Sequence, residues 1–107
     1  MDIKELSDIH GLTVEEFSGI LKVFIDTAKT DIGKIRAAVD RGDALSASEA
    51  AHSLKGAAGN LGFKELSDLA QAAEINAEKD ELEKITSTLP FLTGQLEYII
   101  TQLHDSL

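Results

Sequence analysis

The apolar residues of this chain return every third or fourth position almost from end to end, and a single proline interrupts them. That spacing is one face of an α-helix, and no stretch shows the period of two that a half-buried strand needs. Val14, Phe17, Leu21, Phe24 and Ala28 make one stripe, which resumes at Ile32, Ile35 and Val39 after a slip in phase near Asp31. The pattern predicts one long bent helix, or two abutting ones, over 14–41. Ala47, Ala51, Leu54, Ala58 and Leu61 form a second seam, flanked by Ala50 and Ala57. Leu66, Leu69, Ala70, Ala73 and Ala77 predict a helix over 64–78. Leu82, Ile85, Leu89, Leu92, Leu96, Ile99 and Leu103 carry the alternation to the C-terminus.

Helix punctuation agrees with these segments. Residues 1–10 suffice for a short helix stopped at Gly11. Thr13 with Glu16 reads as a capping box, and Gly42 ends the long segment. Asp43 can cap the next helix, while Ser46 with Glu49 competes for the same role; Gly62 breaks it. Asp80 with Glu83 signals a further capped start. Pro90 removes a donor and should kink the last helix, but the stripe crosses it, which argues for a bend rather than a stop. The expected architecture is all-α: an antiparallel four-helix bundle with a short additional N-terminal helix, in one domain over 1–107.

What the chain lacks narrows its chemistry. With no cysteine among 107 residues there is no disulfide, thiolate zinc site or thiol nucleophile. A net charge of −9, from 19 acidic and 10 basic residues, is the wrong sign for a nucleic acid or an anionic membrane. No apolar run approaches the roughly 18–20 residues that span a bilayer. The N-terminus has no signal-peptide core, so a cytoplasmic protein is expected. Starting at Met1 and ending near the last stripe residue favours a free-standing protein. No nucleotide-binding glycine loop occurs, so no kinase activity of its own is expected.

One residue stands outside the packing logic. At about 100° per residue, the seam clusters within roughly 60° of Leu54, whereas His52 falls about 160° away, on the solvent side. Gly56 and Gly59 lie on that side as well, with Ser48 near them. Each glycine inside a helix costs about 0.5–1 kcal/mol relative to alanine, and this helix uses alanine freely elsewhere. The glycines expose a strip of backbone beside the imidazole, and Lys55 adds a cation that would favour a phosphoryl group there. The plainer readings are a solvated surface histidine and glycines kept for helix–helix contact.

The stretch Ala51-His52-Ser53-Leu54-Lys55-Gly56-Ala57-Ala58-Gly59-Asn60-Leu61-Gly62 resembles the signature of histidine-containing phosphotransfer (HPt) domains, whose core is H-x-x-K-G followed by small residues and a further glycine. The long helix before it, the leucine-spaced helix after it and the terminal helix extend the likeness over nearly the whole chain. The resemblance implies a phosphorelay intermediate of two-component signalling. His52 would be the phospho-acceptor and Lys55 the stabiliser of the phosphoryl oxygens. Gly56 and Gly59 would be the small positions that admit the partner. Several family members orient the imidazole with a glutamine on the next helix; the corresponding residue here is Glu74, with Gln71 one turn earlier as an alternative.

The implied partners are response-regulator receiver domains and a sensor or hybrid histidine kinase. Mg²⁺ is expected on the receiver, no cofactor on this chain, and a monomer is the default. Ser48, Ile9 and Leu12 are further candidates for the docking face, and Phe17 fits either that face or the core. A helical interaction module that binds a kinase or receiver without carrying phosphate is the alternative; the joint presence of His52 and Lys55 speaks against it. A metal or haem carrier would need a second ligand at helical spacing from His52, which the sequence lacks. His10 and His104 read as solvated or helix-end histidines, and Phe63 and Tyr98 as core or partly buried side chains.

Overall fold

The structure, a computed structural model, describes residues 2–106, and it is helical throughout. Five helices follow one another: α1 (Ile3–Ile9), α2 (Val14–Arg41), α3 (Ala44–Leu61), α4 (Lys64–Glu78) and α5 (Leu82–Ser106). The phase slip at Asp31 breaks nothing, because α2 is a single helix of 28 residues. Pro90 lies inside the continuous α5. Residue 1 of the expected first helix lies outside the described residues.

Helix ends are set by local hydrogen bonds that the sequence encodes. Asp2 caps α1 through Lys4 N and Glu5 N. Thr13 and Glu16 form the reciprocal box that starts α2, at 3.1 and 3.0 Å. Asp43, not Ser46, caps α3: its carboxylate accepts from Ser46 N at 3.0 Å and from Ser46 Oγ at 2.6 Å. Gly42 and Gly62 adopt φ of 70° and 86°, the left-handed conformation that lets Asp43 N and Phe63 N reach back to the carbonyls of Ala38 and Ala58. Asp80 does the same job after α4 with φ 56°, Glu81 N donating to Asn76 O at 2.8 Å. Asp80 therefore closes α4, and the expectation that it caps α5 is corrected: α5 begins at Leu82.

The bundle is a ring in which α2 packs on α3, α3 on α4, α4 on α5 and α5 back on α2. Neighbours run antiparallel. Phe24 meets Phe63 while Asp31 meets Ser53, so α3 descends as α2 rises. The core is the sum of the predicted stripes: Phe17, Leu21, Ile35, Ala47, Ala51, Leu54, Ala58, Ala70, Ala73, Ile85 and Leu92 are wholly buried. The alanines of α3 and α4 let these two helices sit close. Two acidic residues are enclosed with them. Asp31 on α2 is buried and accepts from Ser53 Oγ at 2.9 Å. Glu74 on α4 faces the outer side of α3.

Helix α1 closes one end. His10, its C-cap residue, stacks on Phe17 with ring centroids 5.4 Å apart and donates from Nε2 to the Leu61 carbonyl at 3.3 Å. It is thus a packed helix-end histidine that ties α1 to the last turn of α3. Phe17 belongs to the core. Leu12 is half-buried and packed against the core. Phe63 is buried and Tyr98 is 47% exposed, one in the core and one partly covered.

Candidate functional site

His52 projects from the middle of α3, where Ala51 and Leu54 anchor the helix in the core. Its side chain is 68% exposed. The ring is held all the same, because Nδ1 lies 2.7 Å from Glu74 Oε2 on α4. The carboxylate can only accept, so Nδ1 carries the proton and donates it. Nε2 then carries the lone pair, and it has no hydrogen-bond partner among the described residues.

Lys55 stands one turn along α3, and its Nζ donates to the other oxygen of the same carboxylate, Oε1, at 2.6 Å. One glutamate therefore serves both residues. Its own side chain is 12% exposed. Burial pushes its carboxyl up, but the hydrogen bond from Lys55, reinforced by that from His52, outweighs this and holds it below the ordinary glutamate range. The lysine is fixed from behind as well: Ser67 Oγ on α4 donates to the Lys55 carbonyl at 3.1 Å. Gln71, the alternative to Glu74, is exposed and makes none of these contacts.

The two glycines differ. A Cβ on Gly56 would meet nothing within 4 Å, so its bareness answers no need inside the chain. A Cβ on Gly59 would lie 3.4 Å from Ser67 Oγ, so this glycine also serves the close approach of α4. Ser48 is half-buried one turn before His52. Among the described residues no group of three or more His, Asp or Glu side chains could hold a metal ion. No helix among them is long and apolar enough to cross a membrane.

The outward histidine, its lysine and the small residues beyond them coincide with a family match: residues 19–106 fit the model of the Hpt domain. The chain belongs to the Hpt domain family. That family has a phosphotransfer role in two-component signalling, working with receiver domains and histidine kinases, and its members are phosphocarriers rather than kinases. The matched span leaves out α1 and the first turn of α2, so the His10 tether lies beyond the family's common frame. Comparison with curated proteins and with solved structures gave no match.

Within this Hpt domain, the remaining candidates fall in different places. Ile9 is 70% exposed. The His10–Leu61 contact sets it near the end of α3, about 13 Å along the helix from His52. His104 is exposed in the last turn of α5. No sequence signal pointed to the Lys55–Glu74 pair, which depends on the register between two antiparallel helices. Asp31 left one trace, the slip in the stripe of α2.

Proposed function

We propose that this chain is a phosphorelay intermediate whose His52 accepts a phosphoryl group from the aspartyl phosphate of a receiver domain and passes it to another receiver. The observation that carries this reading is the Nδ1 hydrogen bond to Glu74 on a ring otherwise open to solvent. It fixes the tautomer with Nε2 as nucleophile and sets the ring at one angle, so in-line approach costs little further ordering. The Nε2 lone pair forms the N–P bond as the P–O bond to the donor aspartate breaks, and that carboxylate leaves with the bonding pair. The positive charge that develops on the ring is shared with Glu74 through the Nδ1 proton.

Lys55 stabilises the phosphoryl oxygens, which requires its ammonium to turn from Glu74 toward the incoming group. Mg²⁺ and the acidic pocket belong to the receiver, and this chain needs no cofactor of its own. Gly56, with open space at its Cβ position, Gly59 and Ser48 form the ground on which the receiver settles, and Ile9 extends it. The chain does not phosphorylate itself from ATP. These steps belong to the cytoplasm, where receivers and kinase domains reside.

Incubation with a phosphorylated receiver and Mg²⁺ should place an acid-labile, base-stable phosphate on the protein. His52→Gln should abolish that label while circular dichroism stays unchanged. A label retained by this variant removes His52 from the role. Wild-type protein that binds the phosphorylated receiver tightly but takes no label would favour the interaction module that carries no phosphate.

A further inference from the structure

The α2/α5 face lies on the side of the bundle opposite His52. Three hollows of about 360, 580 and 330 Å³ follow one another along it. Their charged lining differs from the rest of the molecule. Lys22, Lys29 and Arg36 stand there with Asp26, Asp40 and Glu97, so this face is neutral on a chain of net charge −9. None of these six makes an ion pair with another described residue.

Two helix-interior glycines mark the same face. Gly94 lines the largest hollow. Gly33 shares the outward side of α2 with Lys29, Arg36 and Asp40, all four within about 60° on the helical wheel. A Cβ on either glycine would meet nothing within 4 Å, so alanine would fit and would favour the helix. Thr93 Oγ1 beside Gly94 is buried without a hydrogen-bond partner. Nothing within one chain accounts for this set.

The heights of these residues are related by symmetry. Arg36 and Thr93 share two hollows, and Ile25 shares the third with Leu103, so α5 descends as α2 rises. Gly33 and Gly94 then stand within about 3 Å of one height. From it, Lys29 lies about 8 Å to one side and Asp40 about 8 Å to the other. Arg36 and Glu97 lie on opposite sides within about 4 Å. A two-fold axis through that height, across the helices, exchanges the two sides.

We infer that the α2/α5 face is a self-association surface on which two copies meet about a dyad at Gly33 and Gly94, each Lys29 facing Asp40 and each Arg36 facing Glu97 of the second copy. The glycines let the backbones approach, and the neutrality of this face spares it the repulsion that two chains of net charge −9 meet elsewhere. The strip is about 27 Å long, and with the 20 Å breadth of the bundle it covers about 1,000 Å² over both copies, the low end for a specific interface. The association is therefore at the weak end, in place of the monomer that the family likeness suggests. Both His52 sites stay open on outward faces, so one dimer presents two acceptors.

Sedimentation equilibrium from micromolar to millimolar concentration tests this without reference to phosphotransfer. The wild-type average mass should rise from one chain toward two, and a single-chain mass up to about 1 mM overturns the proposal. Arg36→Glu and Glu97→Arg, each alone, oppose like charges across the dyad and should stay monomeric. Mixed in equal amounts they restore both pairs and should dimerise. Single variants that dimerise like the wild type, or a mixture that stays monomeric, overturn the assigned pairing. Both variants should keep wild-type helicity and accept phosphate at His52 at the wild-type rate, since neither residue touches that site.

Discussion

Nζ of Lys55 and Oε1 of Glu74 lie 2.6 Å apart, so the cation beside His52 is already spoken for before any phosphoryl group arrives. The same carboxylate holds the imidazole proton. Under the proposed function, this resting site would release its stored positive charge to the more strongly charged phosphoryl group.

The depressed carboxyl of Glu74 makes the stability of the bundle depend on acidity in a defined direction. Its contribution is fully present above the ordinary glutamate value of 4.5 and is lost as the pH falls through its lower value in the folded chain. Thermal melts of wild type and Glu74→Gln should differ most above the ordinary glutamate value of 4.5 and converge as the pH falls through the lowered value of the folded chain. A gap that stays constant over that range removes the linkage. Asp43 and Glu81, also depressed, are common to both proteins and cancel in the comparison.

Gly56 separates folding from docking. Because a Cβ there meets open space, Gly56→Ala should raise stability by about 0.5–1 kcal/mol. Gly56→Leu should fold equally well yet slow transfer from a phosphorylated receiver by about tenfold or more, the effect of about 1.4 kcal/mol on the encounter complex. Normal transfer by the leucine variant would show that no partner comes close at this point.

Asp31 and Ser53 join α2 to α3 next to His52. A double-mutant cycle over Asp31→Ala and Ser53→Ala, read by urea unfolding, should give a coupling energy of about 0.5–3 kcal/mol. Asp31→Ala alone should cost about 1–3 kcal/mol, since the acid is enclosed and its partner loses its acceptor. Additive effects would mean that the bond contributes nothing to the register of the two helices.

Asp80 holds a left-handed conformation that glycine holds at Gly11, Gly42 and Gly62. Asp80→Gly should relieve the steric cost of that conformation and stabilise the protein by about 1 kcal/mol, measurable as a higher melting temperature. A lower melting temperature would mean that the aspartate side chain matters more at this turn than its backbone strain.

The stripes, the Thr13 box and the glycines at 42 and 62 made the helices readable, because each is a local signal. The outward position of His52 followed from the helical period alone. What stayed hidden required two helices at once. Glu74 and Gln71 sit one turn apart, and only the register of α3 against α4 brings one of them to the ring. Asp31 looked like a fault in a stripe, since its partner lies on another helix. Asp80 carried the sequence mark of a helix start but takes the shape of a helix stop.

The His52 ring hangs outside a frame whose side chains are packed shut beneath it. A cargo bonded to such a ring can be collected and delivered without any door opening in the carrier. Under the proposed function, traffic through the relay would be governed by how often, and in what orientation, its partners collide with one fixed point.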